Sequence, residues 1–306
     1  MRRLAVLIVF VTACGDSGAV TAVPTTAVLA TTAATNAPTT LPTTSPPTTA
    51  PPTTVAATTS AIPAGPAVAA SSSCVLGWWD GGWFNVGEDD GVAPPIAAGD
   101  ALQVATLSGV AGATVTAVYP YDDIGSPAWS LDEEPVRTEG VAISGTWDSV
   151  PHLVELSGAS QQVYLDQAAL IMEQRGYPGV PVELTQIIRT DLEGDGVNEV
   201  IVTAQHPGAA EYQRDVGVFS LIFLRRVVDG DVQTAILHHS IFTAEDVGLA
   251  TSVEHAVVTA VADLNADGAM EIVLDGSGYE WYWSEAFEYV NDDLGPVSVM
   301  VCGGGV

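Results

Sequence analysis

The sequence contains no lysine, and its 8 basic residues, all of them arginine, stand against 37 acidic residues. The formal net charge is −29 at pH 7. Nucleic acids and anionic membrane surfaces attract clustered Lys and Arg, so this balance argues against both as partners. Charged residues are also missing between Asp16 and Asp80. The chain therefore divides into an uncharged N-terminal part and a strongly acidic remainder.

A long hydrophobic run is absent as well. The apolar stretch from Leu4 to Ala13 is shorter than the roughly 20 residues that span a bilayer as a helix. It follows Arg2 and Arg3, which predicts a signal peptide over 1–13. The end of this stretch and the residue after it, Val11-Thr12-Ala13-Cys14, resemble a bacterial lipobox. The resemblance implies cleavage before Cys14 and a diacylglyceryl group on its sulfur; the alternative is an ordinary signal peptide with an incidental cysteine.

Residues 14–73 consist almost entirely of Thr, Ala, Pro and Ser after the first few positions. They show no hydrophobic period and cannot form a core, which predicts a disordered stalk. A Pro-rich chain extends by ~3.1 Å per residue, so this stalk would reach on the order of 150 Å. Together with the lipid on Cys14, it predicts an exported protein that is anchored to the cell membrane with its folded domain facing outside.

Cysteine is scarce. If Cys14 carries a lipid, Cys74 and Cys302 remain, near the two ends of the acidic part. Because disulfides persist in exported proteins, we predict a Cys74–Cys302 bond. The alternative is a pair of buried free thiols.

The acidic part is predicted to be mainly β (β-rich α+β). Short β-like runs, among them 101–107, 113–119 and 141–147, predict a small β-domain over 74–152. One helical pattern covers 159–175 and stops at Gly176. Two groups of four strands follow, so that 153–306 is expected to hold a helix and two four-stranded units. The predicted strands are 182–190, 199–204, 216–228 and 232–242 in the first group and 254–262, 271–274, 279–289 and 296–302 in the second.

The two groups contain an internal repeat with an offset of 72 residues (263 minus 191). Each repeat places oxygen side chains at positions 1, 3, 5 and 9 of a loop and glycine at position 6. Hard oxygen ligands at alternating positions suit Ca²⁺, and the carbonyl at position 7 is expected to add another ligand. The predicted ligands are Asp191, Glu193, Asp195, Val197 and Glu199 in the first loop and Asp263, Asn265, Asp267, Ala269 and Glu271 in the second.

An EF-hand begins in the same way but requires an acidic residue at position 12, where this chain has Val202 and Leu274. Helices should also flank an EF-hand, whereas β-like runs flank both loops. The two loops and their strands resemble FG-GAP/VCBS-type repeats of integrin-like surface proteins. That resemblance implies one or two Ca²⁺ ions that stabilise β-sheet repeats, and an incomplete or degenerate β-propeller as the alternative architecture. Solvated acidic turns without an ion are the alternative for each loop.

The stretch 279–283 is dense in aromatic residues. Strand alternation predicts that Tyr279, Trp281 and Trp283 share one face. Such a face could stack a sugar or a peptide, but packing in the core is the favoured interpretation.

The sequence therefore predicts a non-enzymatic, calcium-stabilised and lipid-anchored surface protein with a role in binding or envelope structure and an unidentified protein or glycan ligand. Two alternatives stay open. One is a carbohydrate-active or hydrolytic enzyme with paired carboxylates. The other is a sugar- or peptide-binding module that uses Trp281 and Trp283.

Overall fold

The structure is a computed structural model that describes residues 65–71, 74–86, 92–123, 126–135, 139–209, 213–228, 230–249, 251–289 and 295–305. The signal peptide, Cys14 and most of the predicted stalk lie outside these residues. Within them the chain forms sixteen strands and one helix, which confirms the predicted mainly β class. The helix of this described part is not long and apolar enough to cross a membrane.

Seven antiparallel strands form the first sheet, sheet A, in the order β3-β2-β1-β7-β4-β5-β6. This order is not the sequential one of a four-stranded propeller blade. The strands are β1 (Ala67–Ala70), β2 (Val75–Trp79), β3 (Trp83–Asn85), β4 (Ala101–Thr106), β5 (Gly109–Asp123), β6 (Ser126–Glu134) and β7 (Val141–Ile143).

Strand β1 corrects the predicted end of the stalk at residue 73. Ala67–Ala70 lies inside sheet A between β2 and β7, and each of its side chains is 1% exposed. Small uncharged residues satisfy a strand that is buried on both faces. Because the preceding stalk has the same composition, the sequence contains no signal for the boundary.

The strand predicted over 141–147 is also too long, since β7 ends at Ile143. Beyond it the indole of Trp147 folds back to the place where a Cβ on Gly145 would lie, so only glycine fits there. Gln103 of β4 fixes this turn, because its Nε2 donates to the carbonyl oxygens of Gly145 (3.0 Å) and Trp147 (2.8 Å).

The predicted helix is confirmed as α1 (Gln162–Gln174). Its buried face, which includes Ala168 and Met172, packs on one side of the second sheet, sheet B. Sheet B has the order β12-β11-β10-β9-β8. It contains the four predicted strands and the short β8, which has no sequence signal. Its strands are β8 (Glu155–Leu156), β9 (Glu183–Thr190), β10 (Glu199–Gln205), β11 (Phe219–Val228) and β12 (Asp231–Ile241).

The third sheet, sheet C, is the predicted second group of four strands in sequential order. One of its faces packs on sheet B through residues such as Ile201, Ile222 and Ile272. Its other face packs on sheet A through Leu76, Val273 and Met300. The layers are thus α1, sheet B, sheet C and sheet A. The strands of sheet C are β13 (His255–Ala262), β14 (Glu271–Gly278), β15 (Trp281–Glu288) and β16 (Val297–Gly305).

Strand β13 is at an edge of sheet C but is covered by polar side chains of sheet B. The N–H groups of Glu254, Ala256 and Val258 donate to Ser240 Oγ (3.0 Å), Ser220 Oγ (3.3 Å) and Gln186 Oε1 (3.0 Å). An unpaired edge would otherwise present free backbone groups. These bonds fix β13, and with it the loop that follows, against sheet B.

Cys74 and Cys302 form the disulfide that the sequence predicts, with Cα atoms 6.1 Å apart. It joins the start of β2 in sheet A to β16 in sheet C. All described residues belong to one compact unit. The predicted division into domains at 152/153 therefore does not separate two compact units; the shared core between sheets A and C is the reason.

Candidate metal centre

Two adjacent loops carry the predicted calcium ligands. Loop 1 (191–199) joins β9 to β10, and loop 2 (263–271) joins β13 to β14. The loops touch directly, because the N–H of Met270 donates to the carbonyl oxygen of Leu192 (2.8 Å). The repeat seen in the sequence therefore places its two sets of acidic residues side by side.

The two loops share a hydrogen-bond pattern. In each, the Asp at position 1 accepts the N–H of the glycine at position 6, the Asp at position 5 accepts the N–H of position 7, and the Glu at position 9 accepts the N–H of position 2. These bonds are Gly196 to Asp191 (2.7 Å), Val197 to Asp195 (2.7 Å) and Leu192 to Glu199 (3.0 Å) in loop 1, and Gly268 to Asp263 (3.0 Å), Ala269 to Asp267 (2.8 Å) and Leu264 to Glu271 (2.7 Å) in loop 2.

The backbone also turns at the same places. Position 6 has a positive φ in both loops, +88° at Gly196 and +91° at Gly268. Position 4 does so as well, with φ of 75° at Gly194 and 62° at Ala266. A non-glycine residue in this left-handed region is uncommon and costs about 1–2 kcal/mol. Loop 2 keeps the shared turn despite that cost.

The loops differ in their exposure to solvent. In loop 1, Asp195 is exposed, and Asp191 and Glu193 are partly exposed. In loop 2, Asp263 is 0% exposed and Asn265 is 2% exposed. Loop 2 is thus mostly buried, although Asp267 is exposed, whereas loop 1 is mostly at the surface, although Glu199 is only 2% exposed.

The charge at position 3 matches this difference. Loop 1 carries Glu193 there, and loop 2 carries the neutral Asn265. Burying an uncompensated charge is far more costly than burying an amide that has hydrogen-bond partners. Asn265 has such partners, since its Oδ1 accepts the N–H of Asp267 (3.0 Å) and its Nδ2 donates to Asp267 Oδ2 (3.1 Å).

Burial raises the pKa of acidic groups in both loops. It raises the pKa of Glu199 to about 7, and the carboxylates of Glu193 and Asp195 add to the shift. It raises the pKa of Asp263 to about 6, with a further contribution from Asp267. The pKa of Glu271 is raised well above its usual value, first by burial and then by Asp267 and Asp263. The charged forms of these groups are therefore poorly compensated by the protein.

Glu271 shows this most clearly. Its side chain is 0% exposed. One carboxylate oxygen, Oε2, accepts the N–H of Leu264, but the other, Oε1, is buried without a hydrogen-bond partner. A buried oxygen of this kind is rare in folded proteins and indicates an ion or a water.

The carboxylates do not converge in the arrangement that the structure shows. Among the described residues, no group of three or more His, Cys, Asp or Glu side chains lies close enough together to hold a metal ion. Asp191 instead accepts three backbone N–H groups, those of Gly194, Asp195 and Gly196. The donor chemistry of loop 2, with hard oxygens and the bare Oε1 of Glu271, nevertheless fits Ca²⁺.

The segment 147–152, which follows sheet A, contacts loop 2 at three backbone groups. Trp147 Nε1 donates to the carbonyl oxygen of Asp263 (2.9 Å), and the N–H of Asp263 donates to the carbonyl oxygen of Ser149 (2.9 Å). His152 Nε2 lies 3.2 Å from the carbonyl oxygen of Gly268. No motif in the sequence indicates these contacts, because they join residues more than 100 positions apart.

Tyr289 also lies near the loops, and no motif in the sequence indicates this. It is 7% exposed, and its side chain is hydrogen-bonded to Glu193 of loop 1. Burial, and then the charges of Glu193 and Glu199, raise its pKa to about 12. The guanidinium of Arg226 lies 5.9 Å from the centre of its ring.

The structure divides the predicted aromatic face. Tyr279 (48% exposed) and Trp281 (41% exposed) remain at the surface, and the guanidinium of Arg214 lies over the Tyr279 ring at 5.4 Å. Trp283, at 8% exposed, belongs to the core between sheets B and C. Its ring contacts His238 at 5.2 Å.

A cavity of about 340 Å³ lies where the described chain begins, and Gly65, Ile96, Asp100 and Trp147 are among its lining residues. Asp100 is the one acidic residue in this lining. The cavity thus offers no pair of carboxylates, and it adds no support to the paired-carboxylate hydrolase that the sequence leaves open.

Comparisons of this chain with known protein families, with curated proteins and with solved structures found no match. The likeness to FG-GAP/VCBS repeats therefore depends on the residues of the two loops and their flanking strands.

Proposed function

We propose that the protein binds Ca²⁺ at loops 1 and 2 and that the ion stabilises a non-enzymatic domain, which a lipid on Cys14 holds at the outer face of the cell membrane. There it serves in binding or envelope structure. The observation that carries the metal part of this proposal is Glu271, a fully buried carboxylate with one unpartnered oxygen beside the buried Asp263. A bound Ca²⁺ would supply the positive charge that these groups lack.

The residues expected to hold the ions are the oxygen side chains at positions 1, 3, 5 and 9 of each loop. Their backbone neighbours already fix the turn, so binding requires side-chain rotation more than refolding. Loop 2 is expected to bind with the higher affinity, because a carboxylate that is shielded from water gains more from a cation than an exposed one does.

Calcium titration into the chelator-treated full chain tests the metal part. We expect the melting temperature to rise, by an amount equivalent to about 2.7 kcal/mol at one hundred times the dissociation constant. Asp195→Ala and Asp267→Ala should each remove one binding event in calorimetry. Asp132→Ala, at an exposed position of β6, is the matched control and should bind like the wild type. An unchanged melting temperature, with both loop variants neutral, would show that the metal part is wrong.

The anchoring part is supported by the lipobox-like sequence before Cys14 and by the uncharged stalk. Cys14→Ser should move the protein from the membrane fraction to the soluble fraction, and Ser17→Ala should not. Membrane retention of the Cys14→Ser protein would contradict lipid attachment at this residue.

The exposed pair Tyr279 and Trp281 favours a binding role for the end of sheet C that is opposite loop 2. Exposed aromatic rings beside an arginine can stack a sugar or a peptide side chain. Trp281→Ala should abolish retention on an immobilised glycan or peptide that the wild type binds, while Phe84→Ala, another exposed aromatic position, should not. If both variants are retained equally, Trp281 does not contribute to binding.

A further inference from the structure

We infer that segment 147–152 is the positioning element of loop 2, with Trp147 and His152 as positioning residues that set its affinity for a divalent cation. This inference depends on the proposed calcium binding but concerns residues outside both loops. It also makes the cation affinity of loop 2 dependent on sheet A, to which the segment is attached.

The contacts of the segment hold loop 2 at its first and sixth positions. Asp263, at position 1, has its N–H and its carbonyl group bonded to Ser149 and Trp147. The carbonyl oxygen of Gly268, at position 6, lies 3.2 Å from His152 Nε2. A carbonyl oxygen can only accept, so the imidazole must donate from Nε2 in this bond. The start of the loop and its turn at Gly268 are therefore fixed from outside.

The segment is itself held in place by sheet A. Gln103 Nε2 donates to the carbonyl oxygen of Trp147 (2.8 Å), and Ser149 Oγ donates to Gln103 Oε1 (3.2 Å). Ser149 is 0% exposed. One glutamine of β4 thus fixes both residues that hold Asp263, and a preformed turn avoids the entropy that ordering it during binding would cost.

Loop 1 has a weaker relation to this segment. At Gly194 it approaches His152, since a Cβ added to this glycine would lie 2.9 Å from His152 Nε2. The indole of Trp147 donates to the backbone carbonyl oxygen of Asp263, at position 1 of loop 2. Removal of the Trp147 donor should therefore act on loop 2 and leave loop 1 unchanged.

Calcium calorimetry on the chelator-treated full chain separates these roles. Asp195→Ala leaves loop 2 as the binding loop, and Asp267→Ala leaves loop 1. In the Asp195→Ala protein, where loop 2 binds the ion, Trp147→Phe should weaken calcium binding by about tenfold. Effects of this size are known for residues that hold the ligands of metal sites. In the Asp267→Ala protein, where loop 1 binds the ion, Trp147→Phe should change the calcium affinity by less than about twofold. Trp79→Phe, in β2 of sheet A, is the control and should not change the calcium affinity of either protein.

His152 provides a second variant in case Trp147→Phe lowers the stability of the metal-free protein. His152→Ala should weaken binding at loop 2, and His152→Gln, whose amide can also donate to Gly268, should restore it. The melting temperature without metal distinguishes lost folding from lost affinity. A merely structural role would lower that temperature and leave the dissociation constant of loop 2 unchanged.

The outcomes separate this inference from the proposed function. If the wild type binds calcium at both loops but Trp147→Phe and His152→Ala leave the affinity of loop 2 unchanged, the inference is overturned and calcium binding stands. If the wild type binds no calcium, both are overturned.

Discussion

Loop 1 and loop 2 share a backbone path and nearly the same oxygen side chains, but loop 1 is mostly exposed to solvent and loop 2 is mostly buried. In loop 1 the carboxylate of Asp195 is exposed, and those of Asp191 and Glu193 are partly exposed. In loop 2 the buried Asp263 and Glu271 depend on what the protein places around them. The loop motif therefore determines the turn, and the surrounding layers determine how strongly a cation would stabilise each loop.

The largest expected effect comes from adding one charge to the buried loop. Asn265→Asp should destabilise the metal-free protein by about 3 kcal/mol, because the new carboxylate is shielded from water and faces Asp267. The matched substitution Asn198→Asp, at an exposed position of loop 1, should change the free energy of unfolding by less than about 0.5 kcal/mol. Urea denaturation in chelator measures both. Equal effects in the two loops would contradict the difference in burial.

The next effect is a dependence on pH. The pKa of Glu199 is about 7 and that of Glu271 is higher than usual in the folded protein, so the folded state binds more protons than the unfolded state does. Stability of the metal-free protein should therefore fall as pH rises from 6.5 to 8, by on the order of 1 kcal/mol. Below pH 6.5 His238 opposes this trend, because burial lowers its pKa to about 4 and its protonation favours unfolding.

Glu271→Gln should remove most of the fall in stability between pH 6.5 and 8, and Glu199→Gln should remove a smaller part of it. Denaturation at pH 6.5, 7.2 and 8 in chelator checks the order of the two variants. A slope that persists in the Glu271→Gln variant would show that loop 2 is not its source.

Much of this architecture can be predicted from the sequence. The helix over 159–175, eight strands of sheets B and C, the disulfide and the repeat of the two loops all follow from local patterns. The start of sheet A at Ala67 does not, because its residues have the composition of the stalk. The burial of loop 2 does not follow either, since it depends on contacts between distant layers. Core packing, the favoured interpretation of the aromatic stretch, is correct for Trp283 but wrong for the exposed Tyr279 and Trp281. The contact of Trp147 with Asp263 joins residues 116 positions apart and leaves no local signal.

The smallest expected effect is the difference in stability between two glycine substitutions in loop 1. Gly194→Ala and Gly196→Ala both place a Cβ at a positive φ, and each should destabilise the protein by about 1–2 kcal/mol. Gly194→Ala should cost a few tenths of a kcal/mol more, because its Cβ also meets His152, whereas a Cβ on Gly196 meets nothing within 4 Å. Thermal denaturation of the two variants, with and without His152→Ala, measures this difference. If His152→Ala does not reduce it, His152 does not contact loop 1 in solution.

We propose that the buried carboxylate of loop 2 destabilises the metal-free protein and that a bound Ca²⁺ would compensate its charge. The most direct test of this claim is calorimetric melting of the wild type and the Glu271→Gln variant at pH 8, each in chelator and in excess calcium. We predict that the variant melts above the wild type in chelator, and that calcium raises the melting temperature of the wild type by the larger amount. A variant that melts below the wild type in chelator, together with equal calcium effects on both proteins, would contradict the claim.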